Sequence, residues 1–200
     1  MDNSTKIAWG LTLCGVAAMV LLKRREDTQS YSHYAENYTS MLNDLKLSRG
    51  YRNNNPLNIN YYDSYGNMAN DWKGQIGVEP SGRFAQFMTM EHGYRAALIS
   101  MRTKIGRGLN TIGSIINSWA PAKDGNNPVA YTNRVCSIIN GTFGGEVAAD
   151  TIVSRSDKDL LCAMAYAMSI VENDDALHRE YNHAQGLPNM ETIKLGWEII

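Results

Sequence analysis

Apolar residues recur at intervals of three and four positions over most of the chain beyond residue 88, a spacing that predicts amphipathic helices. The expected helices span residues 90–105, 111–119, 128–139, 156–171 and 189–198. From residue 50 to residue 87 this period is absent, and Asn, Gly, Asp and Ser separate short stretches of alternating apolar and polar positions. Such stretches are typical of short strands joined by turns, and residues 76–82 fit a hairpin connection. The pattern therefore predicts an α+β, predominantly helical domain with a small β-hairpin region over residues 49–200.

The N-terminal part of the chain has a different pattern. Residues 7–22 contain no charged side chain and are followed directly by Lys23–Arg25. A helix of this length would be roughly 24 Å long against a hydrocarbon core of roughly 30 Å, so a secretory signal, a buried core helix and a short membrane anchor compete. Of the basic residues next to the apolar run, three follow it and only Lys6 precedes it, which argues against a signal peptide. We interpret residues 1–25 as an N-terminal membrane anchor that contacts the bilayer through residues 7–22, and residues 26–48 as a linker and a helix.

Charge and cysteine usage exclude several classes of partner. The formal net charge of −1 gives no basic face of the kind that binds nucleic acid, so nucleic acid is not expected as a partner. Cys14, Cys136 and Cys162 lie far apart within apolar stretches and are expected to be buried free thiols. The histidines show no HExxH motif, and His178 and His183 are not spaced to share a helix face. Neither a metal nor another cofactor is therefore expected.

An asparagine-rich stretch around Pro56 is the most distinctive local feature. Asn favours turns, and the residue before a proline is pushed out of the helical region, so we expect a turn over residues 53–56 and then an extended segment through Tyr61. Carboxamides and flat aromatic rings together suit a groove that binds sugar hydroxyl and acetamido groups. The residues expected to bind substrate are Asn55, Asn58, Trp72, Phe84, Gln86 and Tyr131.

Glu172 is the candidate catalytic residue. It stands where a helix with a nearly all-apolar stretch, residues 160–171, comes to its end. Burial and the negative end of the helix dipole disfavour a charged carboxylate, and Asp174 and Asp175 add like charge, so a raised pKa is expected. A carboxyl group that stays protonated near neutral pH can serve as the general acid in glycosidic cleavage. A solvated acidic stretch just past a helix end is the alternative interpretation.

Glu91 is the second candidate for the catalytic acid. It falls in the first turn of the helix that Thr89 is expected to cap, a position that suits a structural role. Glu79, beside Pro80 in the expected hairpin, is a weaker candidate. The choice between Glu172 and Glu91 stays open on the sequence.

A series of motifs in a fixed order resembles the bacteriophage "structural protein P5" family, virion-associated peptidoglycan-degrading proteins with a lysozyme-like fold of the lytic-transglycosylase type. The motifs are Arg-Asn-Asn-Asn-Pro-x-Asn-Ile (52–59), Trp-x-Gly (72–74), Phe-Ala-Gln-Phe (84–87), Glu-x-Gly-x-Arg-Ala (91–96), Leu-Asn-Thr-Ile (109–112), Trp-Ala-Pro (119–121) and Ala-Tyr (130–131). The resemblance covers about residues 49–200 and implies a lysozyme-like glycan-cleaving domain there. In lysozyme-like proteins the catalytic Glu at a helix end typically comes before the Asn-rich segment, whereas here the Asn-rich motif comes first. The resemblance therefore also implies a circularly permuted arrangement.

The resemblance extends to the stretch around Glu172. In that family a late helix ends in a motif like His-Glu-Asn-Gly, and the corresponding stretch here is Val171-Glu172-Asn173-Asp174. Glu172 and Asn173 match, whereas Val171 and Asp174 replace the His and the Gly. The departure makes an inactive copy one of the alternatives.

The resemblance implies a lytic transglycosylase that cleaves the MurNAc–GlcNAc β-1,4 bond and is associated with a phage virion, for host entry or exit. One carboxyl group, Glu172, suffices for that reaction, whereas a hydrolytic muramidase would use a second one, for which Asp63, Asp71 and Asp124 are available. A non-catalytic, membrane-associated virion structural protein with a glycan-binding groove is the remaining alternative. The implied partners are peptidoglycan glycan strands, a viral internal or host inner membrane, and other virion proteins.

Overall fold

The computed structural model describes residues 46–62 and 71–200 of the chain. Within these ranges the helices are α1 (Arg49–Arg52), α2 (Met90–Gly106), α3 (Ile112–Trp119), α4 (Pro128–Phe143), α5 (Lys158–Asn173), α6 (Arg179–Ala184) and α7 (Met190–Glu198). The strands described there are β1 (Gln75–Val78) and β2 (Ala85–Phe87), which form an antiparallel sheet, and Ala122–Asp124 form a short 3-10 helix. The α+β, predominantly helical fold with a small β-hairpin region is therefore confirmed for the described part of the chain.

Helix α5 forms the centre of the hydrophobic core. Its fully buried side chains include Leu161, Met164 and Met168, and it packs against α2, α4 and α7. At its start the Asp157 side chain accepts a hydrogen bond from the Leu160 amide, which satisfies one of the unpaired N–H groups of the first turn. The helix thus runs from a capped start through the core and brings its last turn to the surface.

The β-hairpin packs beside these helices. It is extended by residues 53–61, the asparagine-rich segment. Strand β2 pairs with β1, and on its other side the Ala85 amide donates to the Ile59 carbonyl, next to an isolated bridge between Asn60 and Phe84. The hairpin connection predicted for residues 76–82 is too long at its start, because residues 76–78 belong to strand β1. The predicted turn at residues 53–56 is confirmed, with the Asn55 amide donating to the Gly50 carbonyl at 2.8 Å.

The five helices predicted over residues 90–198 all appear, with ends that differ by a few residues. Helix α4 continues past the expected end at residue 139 to Phe143, where Gly144 in the left-handed conformation (φ 73°) ends it. Helices α1 and α6 were not predicted, because helices of four and six residues are too short to show an apolar period. Cys136 and Cys162 are buried free thiols, as expected, whereas Cys14 lies outside the described residues.

The prediction of an N-terminal anchor lies outside the described part of the chain, as do the linker and nearly all of the helix expected before residue 48. Over residues 46–62 and 71–200, every helix is too short or too polar to span a bilayer.

Candidate active site

A polar cleft of about 220 Å³ lies where the end of α5 meets the asparagine-rich segment and the loop after α3. Its lining combines charged, amide and aromatic side chains: Arg49, Asn58, Asn60, Arg83, Phe84, Trp119, Ala120, Asp124, Asn126 and Glu172. Amide and charged groups around a few aromatic rings suit a polar, hydroxyl-bearing ligand. The cleft therefore has a composition that suits a polar ligand.

Glu172 lies in this cleft with both carboxylate oxygens hydrogen-bonded. Asn58 Nδ2 donates to Oε2 at 2.9 Å, and the Tyr131 hydroxyl donates to Oε1 at 2.8 Å. Burial raises the pKa of Glu172 above its ordinary value, because a charged carboxylate loses solvation there. The two hydrogen bonds and the positive charges of Arg49 and Arg83 lower that pKa, but burial outweighs them. Glu172 therefore holds its proton more tightly than a solvated glutamate does.

Tyr131 reaches Glu172 from the first turns of α4. The Asn127 side chain caps this helix by accepting a hydrogen bond from the Ala130 amide, and Pro128 occupies its first turn. Burial, with a further contribution from Glu172, raises the pKa of Tyr131 well above its ordinary value. Its hydroxyl therefore stays protonated and acts as a permanent hydrogen-bond donor to the carboxylate.

Asn58 reaches Glu172 from the left-handed region of backbone conformation, with φ at 50°. Asn tolerates this region better than most residues other than glycine. Its Oδ1 is buried and has no hydrogen-bond partner among residues 46–62 and 71–200. Because buried acceptors are rarely left unpaired, this oxygen is available to a donor on a ligand.

Asn173, the last residue of α5, holds the asparagine-rich segment against the end of that helix. Its Nδ2 donates to the carbonyl oxygens of Pro56 at 2.7 Å and Ser169 at 2.8 Å. Its Oδ1 accepts a hydrogen bond from the Ser48 hydroxyl at 2.8 Å. Since Asn173 is 2% exposed, these are buried bonds that fix the segment relative to the neighbouring Glu172.

Two glycines permit the close approach of the elements around the cleft. A Cβ atom at Gly50 would lie 2.3 Å from Asn173 Oδ1. A Cβ atom at Gly93 on α2 would lie 1.9 Å from the backbone oxygen of Asn54. Both distances are far below van der Waals contact, so any larger residue would push the asparagine-rich segment away from the helices.

Three of the residues predicted to bind substrate lie at Glu172. Asn58 and Phe84 line the cleft, and Tyr131 contacts the carboxylate directly. Asn55 does not face the cleft, because its fully buried side chain donates to the Ile59 and Ala85 carbonyls, each at 2.9 Å. The prediction of substrate binding is therefore corrected for Asn55, which instead joins the turn to β2.

Gln86 and Trp72 are also placed away from the lining of the cleft. Gln86 Nε2 donates to Asn53 Oδ1 at 3.1 Å, which ties β2 to the asparagine-rich turn. Trp72 packs against the small apolar cluster formed by Ala85, Phe87 and Ala96. Both side chains support the hairpin, and their contact with substrate stays a prediction that this cleft does not carry.

The acids that follow α5 do not act on Glu172 as expected. Asp174 pairs with Arg179 Nε at 2.9 Å and with His183 Nε2 at 3.3 Å. Asp175 pairs with His178 Nδ1 at 2.8 Å. Each of the two acids thus has partners of its own, and burial is the main cause of the increase in the Glu172 pKa.

The other candidate acids have different surroundings. Glu91 lies outside the lining of the cleft, on the part of α2 whose backbone approaches Gly196 of α7. Glu79 is buried in the hairpin turn, where its hydrogen bonds with Ser81 keep its pKa below the ordinary value despite its burial. Asp124 lines the cleft with Glu172, whereas Asp71 does not, and Asp63 lies outside the described residues.

Several residues of the cleft were missed by sequence reasoning. Arg49 stands on a helix too short to predict, and Asn60, Arg83 and Asn126 lie in irregular segments with no distinctive pattern. Trp119 belongs to the Trp-Ala-Pro motif, so the motif could have indicated it. Within the described ranges, no group of three or more His, Cys, Asp or Glu side chains is arranged to hold a metal ion.

Fold and site together define a mostly helical α+β protein with a glutamate of raised pKa in a polar cleft. The chain is similar to "Protein P5" of Pseudoalteromonas phage PM2, with 37% identity over 93 residues. The match covers 46% of this chain and 56% of Protein P5, so the chain spans about half the length of the curated relative it matches. No protein-family model matches the chain. The similarity supports the predicted kinship with a P5-like phage protein.

Proposed function

We propose that this protein is a phage virion-associated lytic transglycosylase that degrades peptidoglycan by cleaving the MurNAc–GlcNAc β-1,4 bond. The observation that carries the proposal is Glu172, a carboxyl group with a raised pKa in a polar cleft, held by Asn58 and Tyr131. A general acid for glycosidic cleavage needs this combination of retained proton and access to substrate. The similarity to Protein P5 of a phage supports the viral context, and the virion and membrane associations remain part of the proposal.

In the proposed reaction Glu172 donates its proton to the glycosidic oxygen as the bond from that oxygen to C1 of MurNAc breaks. The resulting carboxylate is stabilised by the donors of Asn58 and Tyr131 and by the charges of Arg49 and Arg83. It then takes the proton from the C6 hydroxyl of the same sugar as that oxygen bonds to C1. The products are a 1,6-anhydro end and a free hydroxyl on the leaving sugar, and Glu172 is again protonated.

The remaining groups of the cleft would hold the sugar for this step. Asn58 Oδ1, a buried acceptor without a partner among the described residues, can accept a hydrogen bond from a sugar hydroxyl or acetamido N–H. Trp119 and Phe84 line the same cleft and offer aromatic surface to a sugar ring. These groups would position the sugar so that Glu172 can protonate the glycosidic oxygen.

A hydrolytic muramidase is the second candidate, and the presence of Asp124 in the lining of the cleft favours it. In that mechanism a second carboxylate activates a water or attacks the sugar, and the product has a reducing end. Asp124 is exposed, whereas burial raises the pKa of Glu172. The transglycosylase remains the proposal because it needs one carboxyl group alone.

Mass spectrometry of purified peptidoglycan after digestion with the full chain tests the proposal. We expect 1,6-anhydro ends from the unmodified protein, no products from Glu172→Gln, and normal digestion by Glu91→Gln, the matched control at the other candidate acid. Reducing ends that disappear in Asp124→Asn would indicate the muramidase. Binding to peptidoglycan without products, in the unmodified protein, would support a non-catalytic structural protein with a glycan-binding groove.

A further inference from the structure

Two arginine side chains lie over one aromatic ring in the cleft. The Arg49 guanidinium carbon is 4.1 Å from the centroid of the Phe84 ring, and that of Arg83 is 4.7 Å from it. The ring holds both cations by cation–π attraction, and Phe84 itself is only 5% exposed. Segments separated in sequence, α1 and the turn before β2, thus bring two positive charges to one wall of the cleft.

Most hydrogen-bond donors of these two arginines are not engaged within the described part of the chain. Arg83 Nε donates to Asn60 Oδ1 at 3.4 Å, and neither arginine forms an ion pair with a carboxylate in residues 46–62 and 71–200. A guanidinium carries five N–H donors in a planar fork that matches a carboxylate. Both side chains are exposed to solvent, so a ligand in the cleft can reach these donors.

The charge balance of the cleft depends on the protonation of Glu172. The charged groups of its lining are Arg49, Arg83, Asp124 and Glu172. When Glu172 is ionised, the two acids balance the two arginines. When Glu172 carries the proton needed for acid catalysis, Asp124 alone opposes two arginines, and the cleft has a net positive charge. The catalytically ready form is therefore complementary to a ligand with one negative charge.

We propose that Arg49 and Arg83 form a subsite for a carboxylate on the glycan substrate, so that the cleft selects acidic over neutral sugar strands. The proposal rests on the proposed function for its substrate class. The shared chemistry is a carboxylate, which peptidoglycan offers either as the lactyl group of a muramic acid without its peptide or as a free carboxyl of a stem peptide. Charge-assisted, bidentate hydrogen bonds to the guanidinium groups provide the recognition.

Binding of the carboxylate also acts on Glu172. The positive charges of Arg49 and Arg83 lower the pKa of the free Glu172, and a bound anion offsets part of their field. An acidic strand therefore helps Glu172 to retain its proton, whereas a neutral strand does not. The substrate would in this way contribute to the protonation state that cleavage requires.

Binding of glycan strands to the full chain, made in the Glu172→Gln background to prevent cleavage, tests the subsite. Three probes of equal length separate the sources of charge: peptide-free strands with lactyl carboxylates, the same strands after methyl esterification, and strands that retain their stem peptides. We expect Arg49→Gln and Arg83→Gln each to weaken binding of a carboxylate probe by about tenfold. Arg52→Gln, an exposed arginine on the same helix outside the cleft, is the matched control and should bind as before.

The esterified strands show whether a variant keeps its cleft intact, because their binding should be unchanged in the arginine variants. The Arg83→Lys variant should bind a carboxylate probe more weakly than the parent and more tightly than Arg83→Gln, since lysine keeps the charge but lacks the planar fork. Equal binding of free and esterified strands by the parent protein would overturn the subsite. Selective binding of the acidic strands without any cleavage by the unmodified chain would instead remove the proposed enzyme activity and leave the subsite standing.

Discussion

Asn58 Nδ2 and Glu172 Oε2 lie 2.9 Å apart although 114 positions separate the two residues in the chain. The bond connects the asparagine-rich segment to the last turn of the most buried helix. The neighbouring Asn173 binds the same segment by donating from Nδ2 to the Pro56 carbonyl at 2.7 Å. The segment therefore supplies a hydrogen-bond donor to the candidate acid Glu172, and Asn173, the next residue after Glu172, holds the segment in place.

Replacement of Asn58 should raise the pKa of Glu172 further. The Asn58 hydrogen bond favours the carboxylate, so its loss leaves burial less opposed. Asn58→Gly is the suitable variant, because glycine adopts φ near 50° without strain. The Glu172 pKa can be followed by NMR of ¹³C-carboxyl-labelled glutamate. Asn58→Ala adds a strained backbone and should show the same pKa change with a larger loss of stability, on the order of 1 kcal/mol.

Tyr131→Phe should act on the other carboxylate oxygen in the same direction. The hydroxyl that donates to Oε1 at 2.8 Å is lost while the ring remains, so the pKa of Glu172 should rise. At pH values where Glu172 is ionised, the free energy of unfolding should fall by about 1.5 kcal/mol, the usual contribution of a hydrogen bond to a charged group. Tyr166→Phe on α5 is the control, since the structure shows its ring in an edge-on contact with Phe143. An unchanged Glu172 titration in Tyr131→Phe would contradict the assigned bond.

The helices and the candidate acid could be predicted from the sequence, whereas the surroundings of the acid could not. A period of 3.6 residues repeats within each helix and is visible locally, and the end of the apolar run in α5 indicates Glu172. The partners of Glu172 come from distant segments, so no local pattern pairs it with Asn58 or Tyr131. Arg49 stands on a helix of four residues, which is too short for any period.

Asn55 shows a second limit of sequence reasoning. A carboxamide that folds a turn and a carboxamide that binds a sugar are the same chemical group, so composition does not separate them. In the structure Asn55 is fully buried and forms its hydrogen bonds with backbone groups of Ile59 and Ala85. Asn58, three positions later, keeps an unpaired Oδ1 among the described residues and faces Glu172.

Glu172 should make the protein less stable as the pH rises. Its pKa is higher in the folded chain than in the unfolded chain, so above the ordinary glutamate pKa the unfolded state releases its proton first. Ionisation then favours unfolding, and the stability contributed by the protonated group is lost as the pH rises through the folded pKa. Glu172→Gln removes this effect and should be more stable than the parent at about pH 7, with little difference at about pH 4. Urea unfolding at both pH values measures it, and a difference independent of pH would contradict the raised pKa.

Asn173→Ala should be strongly destabilising. The substitution leaves the Pro56 carbonyl and the Ser48 hydroxyl without their buried partner, and such losses together amount to about 3 kcal/mol. Chemical denaturation measures the change in the free energy of unfolding. Asn133→Ala on the exposed face of α4 is the matched control and should change stability by less than about 0.5 kcal/mol. Equal effects of the two substitutions would show that Asn173 does not hold the segment.

Gly93→Ala should disrupt the packing of the asparagine-rich segment on α2. The added Cβ would lie 1.9 Å from the Asn54 backbone oxygen, and a backbone atom cannot move aside as a flexible side chain can. We expect a loss of about 3 kcal/mol in the free energy of unfolding, in spite of the better helix propensity of alanine. Gly141→Ala on α4 is the control, because a Cβ there meets open space and should stabilise the helix by about 0.5 kcal/mol. Thermal or urea unfolding measures both changes in stability. A loss for Gly93→Ala and a gain for Gly141→Ala would establish that close approach, and not helix propensity, is the reason for glycine at position 93.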